Sequence, residues 1–213
     1  MMNRRLTILF AAIATIVVAV GGCGSSAPRQ DAAEAEGEYP VEIRKAEFAT
    51  EQRLAETSEL VLEIENTGEE TIPNLAITIT IDDGTADGSF SIRDPQPGLA
   101  NPNRPVWILE AGYPRGVDDP KPKGLSGATV AQTNTFAFGE LAPGDSKELV
   151  WRVTPVKVGN YTVNYVVSAG LYGNAVAVTD SGGEPSGEII ATISGEPPQT
   201  KVNGKGEVVE VKG

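Results

Sequence analysis

The 213-residue chain contains no histidine and only one cysteine, Cys23. Histidine is the commonest general acid–base and the commonest metal ligand, so its absence removes the usual catalytic triads and most zinc chemistry. A single cysteine excludes an intrachain disulfide, and stability has to come from an apolar core. Aromatic residues are sparse, at 6%. Positive charge is in deficit: 17 Lys and Arg stand against 29 Asp and Glu, a net charge of −12. That balance argues against a nucleic-acid partner, which needs basic patches. There is no phosphate-cradling Gly-Lys-Ser/Thr loop and no serine with a histidine base, and no carboxylate pair stands out for glycoside chemistry. No enzyme activity, cofactor or metal is expected from this sequence.

What is present begins with Asn3, Arg4 and Arg5, followed by an apolar run over residues 6–20 relieved only by Thr7 and Thr15. Gly21 and Gly22 then lead to Cys23. A basic start, an apolar stretch and small residues at a cleavage point form the pattern of a secretory signal. The run is shorter than the roughly 20 residues of a spanning helix. Val20-Gly21-Gly22-Cys23 resembles the bacterial lipoprotein signal, whose motif ends in an aliphatic residue, two small residues and cysteine. The resemblance implies a diacylglycerol on the Cys23 sulfur, cleavage just before it, and a protein held on the extracytoplasmic face of a cell membrane. More than one acyl chain is needed for stable anchoring, and a diacylglyceryl group supplies two. Residues 24–39 are small, polar and acidic without apolar periodicity, and read as a disordered tether.

From Val41 onward the texture is alternation with period two, the mark of strands with one buried face. Leu60, Leu62 and Ile64 fall on one side, with Glu59, Val61, Glu63 and Glu65 on the other. The same alternation places Leu75, Ile77, Ile79 and Ile81 inward, then Leu149, Trp151 and Val153, then Tyr161, Val163, Tyr165 and Val167. Further strands are expected over 41–48, 88–93, 132–138, 174–179 and 187–193. No segment after the signal shows helical periodicity. Between the strands, Asn66, Gly68 and Pro73 mark one turn, and Pro143-Gly144 with Asp145 and Ser146 marks another.

Seven to nine short strands with Gly/Pro turns point to a sandwich. Leu141 to Ser146, a Leu-x-Pro-Gly-x-Ser turn, and Gly159 to Val163, a Gly-x-Tyr-x-Val strand, resemble bacterial cell-surface immunoglobulin-like modules, including the CARDB type. The paired stretches around the Asn-x-Gly turn at Asn66 share that likeness. It covers about 41–81 and 136–180 and implies a fold rather than a ligand. Tyr161, beginning a strand after a glycine turn, reads as structural, either as a tyrosine whose hydroxyl bonds back to the chain or as a plain core aromatic.

The segment 82–135 departs from that pattern. It holds nearly half of the 15 prolines, and its "PVWILEAGYP" is too apolar for a solvated coil. Connections of this length are usually functional or disordered. Trp107 and Tyr113 are interface-type side chains, and Arg104 and Arg115 help to bring the segment close to neutral within an acidic chain. These four are the candidate partner-binding residues, set against the alternative that the segment packs on the sandwich. Asp82, Asp83 and Asp87 lack the ligand order of a calcium loop and read as turn residues.

The expected layout is therefore a signal over 1–22, a lipidated N-terminus and linker over 23–40, a domain over 41–194, and a weakly ordered tail over 195–213. The fold class is all-β: an immunoglobulin-like β-sandwich with a long Pro/Gly-rich insertion, preceded by a signal helix and a disordered tether. The expected function is binding or scaffolding in the cell envelope, with the lipid bilayer as one partner and an envelope protein or glycan as the other. The alternative is a carbohydrate- or peptide-binding noncatalytic subunit, less readily a hydrolase, using 82–135 as its cleft.

Overall fold

The computed structural model describes residues 34–82, 90–92, 105–119, 129–132, 134–196 and 200–210. The expected signal and Cys23 lie outside the described residues. The strands in chain order are β1 (Gly37–Glu47), β2 (Glu51–Arg53), β3 (Ser58–Asn66), β4 (Ala76–Asp82), β5 (Ser91–Ile92), β6 (Trp107–Leu109), β7 (Arg115–Gly116) and β8 (Thr129–Gln132). They continue with β9 (Thr135–Ala137), β10 (Ser146–Pro155), β11 (Gly159–Ser168), β12 (Ala175–Val178), β13 (Ser186–Ser194), β14 (Thr200–Val202) and β15 (Val208–Glu210).

Two sheets hold most of them. The first runs β12-β1-β3-β10-β6-β5, with β7 also paired to β10; the second runs β2-β13-β11-β4-β9-β8. Pairing is antiparallel except for β1 with β12, β13 with β2, and β5 with β6. Alternation explains the core: Leu60, Leu62 and Ile64 of β3 and Leu149, Trp151 and Val153 of β10 meet Ile77, Ile79 and Ile81 of β4 and Val163, Tyr165 and Val167 of β11 in one buried cluster. Burial of each such aliphatic side chain contributes about 1.5–3 kcal/mol.

The architecture corrects the expected one. Over the described residues it is all-β and mostly antiparallel with a half-barrel curl, rather than a sandwich carrying 82–135 as a separate insertion, and the expected signal helix lies outside those residues. No helix occurs among the described residues. The described parts of 82–135 contribute short strands to the sheets themselves: β6 pairs with β10 from Trp107–Pro155 to Leu109–Val153, and β8 pairs with β9. The reason is registry, since an apolar triplet beside a free edge of β10 satisfies its backbone there more cheaply than in water-excluded coil. Residues 34–40, expected within the linker, belong to the folded part. Glu34 already accepts bonds from the Asn74 side chain (3.3 Å) and the Leu171 amide (3.2 Å), and β1 starts at Gly37.

The two turns picked out in the sequence form one unit. Pro143-Gly144 is a type II turn: Gly144 has φ +74°, and the Asp145 amide donates to the Ala142 carbonyl at 3.1 Å. Asn66, fully buried, donates through Nδ2 to the carbonyls of Leu141 (2.9 Å) and Glu70 (2.8 Å), while its Oδ1 accepts from the Gly68 amide (3.0 Å). Its own carbonyl accepts from the Gly144 amide at 2.9 Å. Tyr161 donates its hydroxyl to the Val158 carbonyl at 2.8 Å, bonding back to the chain three residues upstream.

Candidate functional site

The described stretch 105–119 divides into an inner and an outer part. Trp107 at the start of β6 points inward and is fully buried. Phe48, Phe90 and Tyr161 surround it with ring centroids 5.6–5.8 Å away, the Phe90 and Tyr161 contacts being edge-on. Its indole Nε1–H donates to Gln52 Oε1 at 2.8 Å, and Gln52 Nε2 donates to the Ala49 carbonyl at 2.8 Å. Trp107 thus offers no surface to a partner. Gln52, one of three buried polar residues among the described ones, is what the sequence did not reveal. It sits between Glu51 and Arg53 in a strand of three residues, too short to show a period.

Beyond β6 the chain turns at Glu110, whose carbonyl accepts from the Tyr113 amide at 3.2 Å, passes through a cis Tyr113–Pro114 bond and rejoins β10 as β7. Tyr113 is half-buried against the core. The Arg115 guanidinium carbon lies 5.1 Å from the centroid of its ring, a cation–π geometry. Arg115 is steadied from behind by a bond to the Asp119 carbonyl (3.0 Å), and Asp119 also caps the Gly116 amide at 2.9 Å. Arg152 of β10 completes the group. Its Nε lies 2.9 Å from Glu110 Oε2, an ion pair whose angle falls short of hydrogen-bond geometry. A hydrogen bond with Tyr113 raises the Arg152 pKa above its ordinary value, and the Glu110 charge adds to that. Tyr113, Arg115, Arg152 and Glu110 therefore form one preorganised polar cluster where the segment leaves the sheet.

The exposed side of β1, β3 and β10 next to it is charged but compensated. Lys45 bridges Glu148 (3.1 Å) and Glu47 (3.5 Å), and Arg44 bridges Glu65 (2.6 Å) and Glu42 (3.0 Å). Arg44 and Lys45 are raised by those bonds, to Glu65 and Glu148 respectively, and Glu65 is lowered by its bond from Arg44. All are well solvated, so the pairs set register more than stability.

Cys23 and Arg104 lie outside the described residues, as do Asp83 and Asp87. Among the described residues no group of three His, Cys, Asp or Glu side chains has the arrangement to hold a metal ion, and no helix is long and apolar enough to cross a membrane. Of the four partner-binding candidates, the fold brings Tyr113 and Arg115 together and takes Trp107 into the core.

No family profile matches the sequence, and no curated relative matches it. Solved structures resemble it distantly. The CARDB domain of a Pyrococcus furiosus protein is 15% identical, with a TM-score of 0.39 over 74% of this chain and 94% of that one. A cohesin module from a Clostridium perfringens family 33 glycoside hydrolase is 10% identical, with a TM-score of 0.40 over 74% and 98%. The alpha-2-macroglobulin of Escherichia coli, from its MG7 domain to the C-terminus, is 17% identical with a TM-score of 0.41 over 76% of this chain and 18% of that one. Likenesses at this level concern the course of the strands and carry nothing about a ligand.

Proposed function

We propose that this chain is an extracytoplasmic binding module, held to a cell membrane by lipid on Cys23, which recruits a protein partner without catalysing a reaction. The anchoring half of the reading is supported by the basic start, the apolar run and the Val20-Gly21-Gly22-Cys23 motif. The binding half is supported by one observation above all: Tyr113 and Arg115, on a segment anchored at both ends to β10, stand in cation–π contact next to the ion pair that Arg152 of β10 makes with Glu110. Tyr and Arg supply large contact area and forked hydrogen bonding at interfaces. A peptide surface fits this cluster better than a glycan. Sugar stacking needs an open aromatic face, whereas the Tyr113 ring is covered by Arg115 and Trp107 is interior. Arg152 is already paired with Glu110, so it is the Arg115 guanidinium that favours a partner presenting a carboxylate.

One experiment addresses both halves. Full-length wild type, Cys23→Ser and the double variant Tyr113→Ala/Arg115→Ala are expressed in a bacterial host with radiolabelled palmitate. Each is then used in mild detergent to capture partners from envelope extracts. Wild type is expected to carry label and Cys23→Ser to lose it. The double variant is expected to keep the label and its melting temperature while partner recovery drops about tenfold, the loss of roughly one interface anchor. Undiminished recovery with the double variant would sink the binding surface; label retained by Cys23→Ser would sink the anchor.

A further inference from the structure

Strand β13 is covered along only part of one edge. Its other edge pairs with β11 from Ser186 to Ile193. The Val167 amide donates to the Pro185 carbonyl at 2.8 Å, which sets the phase of that antiparallel ladder. Gly187, Ile189 and Ala191 then direct their backbone groups to β11, while Glu188, Ile190 and Thr192 direct theirs away. The Thr192 amide agrees with this phase: it donates to the Thr50 carbonyl at 2.7 Å, on the side of β2. Yet β2 reaches only Thr192 to Ser194. Upstream of Thr192 no strand among the described residues pairs with β13 on that side. The residues whose backbone groups face outward there are open to solvent: Glu188 is exposed, and Ile190 is 60% exposed.

The side chains along this edge alternate too. Ile189 is half-buried against the core, whereas Glu188 and Ile190 stand on the outer face. An open depression of about 610 Å³ lies beside Ile189, lined also by Ala46, Ala49 and Val61, with Glu47 and Glu59. A strand laid in line with β2 would therefore meet an apolar hollow on one face, and Ile190 and a carboxylate on the other. Glu188 makes no ion pair among the described residues. A charge on an edge strand resists pairing with a like-charged strand. The chain carries a net charge of −12, and antiparallel self-pairing over 188–190 brings Glu188 close to its own image, so a second copy is disfavoured and a cationic segment is favoured.

We propose that β13, over Glu188–Ile190, takes an extended segment of a partner protein as an added strand. That segment carries a lysine or arginine two residues from an apolar side chain, with a second apolar side chain between them. Main-chain bonds to Glu188 and Ile190 supply affinity, the middle side chain fills the hollow beside Ile189, and the cation meets Glu188. This edge lies on the other sheet from the Tyr113 cluster and selects the opposite charge, so its failure leaves that reading untouched.

The test is fluorescence anisotropy of a labelled Thr-Lys-Val-Ile-Thr peptide with the full chain in mild detergent. The comparison peptides have Glu in place of Lys, or are N-methylated through Lys-Val-Ile. The protein variants are Glu188→Lys and Ile190→Pro, the second removing an outward amide at a position where an edge strand tolerates proline. Melting curves check both folds; if Ile190→Pro melts early, Glu188→Lys and the N-methylated peptide decide. Wild type is expected to bind the basic peptide saturably. Ile190→Pro, Glu188→Lys and N-methylation are each expected to weaken it about tenfold, and Glu188→Lys to prefer the acidic peptide. No saturable binding up to millimolar peptide overturns the proposal, as does binding unchanged by Glu188→Lys or by N-methylation. An Ile190 amide already protected from hydrogen exchange in the peptide-free chain also overturns it, because a second copy or the chain's own tail then holds the edge.

Discussion

At the scale of single residues, the bond between Trp107 and Gln52 decides whether the excursion is surface or core. An indole N–H taken out of water needs an acceptor, and Gln52 supplies one 55 positions away in sequence. Gln52→Leu leaves that donor unpaired and is expected to cost about 1–3 kcal/mol in denaturant unfolding. In the background of Trp107→Phe, which removes the donor, the same change should cost markedly less. Equal costs in the two backgrounds would show that the bond is not what Gln52 contributes. That Trp107 is apolar and belongs to a structured segment was legible from its neighbours. Which way it faces was not, because the sequence does not show that β2 brings an acceptor beneath it.

At the scale of elements, the two turns that punctuate the sequence act as one clasp. Asn66 closes its own turn through Gly68 and reaches across to Leu141, so the end of β3 and the entry to β10 are fixed together. Asn66→Ala removes three side-chain hydrogen bonds at once, the one to Leu141 buried and the others partly so, and is expected to destabilise the protein by about 2–3 kcal/mol, read from urea unfolding. Gly68→Ala is a useful contrast: its new Cβ would come 2.9 Å from the Pro40 ring and 3.3 Å from Asn66 Oδ1, crowding the turn while leaving the Asn66 Nδ2 bonds to Leu141 and Glu70 in place. Long strands were readable because apolar side chains recur every second residue in β3, β4, β10 and β11. Strands β2, β6 and β7 were not, since two or three residues hold no period and such segments become strands only when a longer edge accepts them.

At the scale of the whole molecule, the displaced ionisable groups act only at the ends of the pH range. The Glu65 pKa is depressed from its ordinary 4.5 by the bond from Arg44, so its contribution is present above that value and lost as pH falls through the folded value. Lys45, raised above 10.5 by Glu148, contributes below that pH and loses its contribution as pH rises through its folded value. Tyr165 is raised above 10.0 by burial, so above pH 10.0 the unfolded chain ionises first and folding loses support. With no histidine in the chain, stability should be flat through neutral pH, with shoulders at both extremes. Urea midpoints at acid, neutral and alkaline pH measure this. Tyr165→Phe should soften the alkaline loss, and a steep slope near neutrality would contradict the assignment.

The sequence by itself determined the strand class, the inward faces of the long strands and the turn positions, because those follow from side-chain periodicity and local backbone preference. It also determined which chemistries lack their residues, since composition does not depend on folding. Only the tertiary structure decided that short strands in the described parts of the excursion pair with the sheets, and that Trp107 is core while Tyr113 and Arg115 form a cluster with Arg152. Each of those depends on which backbone edge a short segment finds, a long-range pairing that local sequence does not encode.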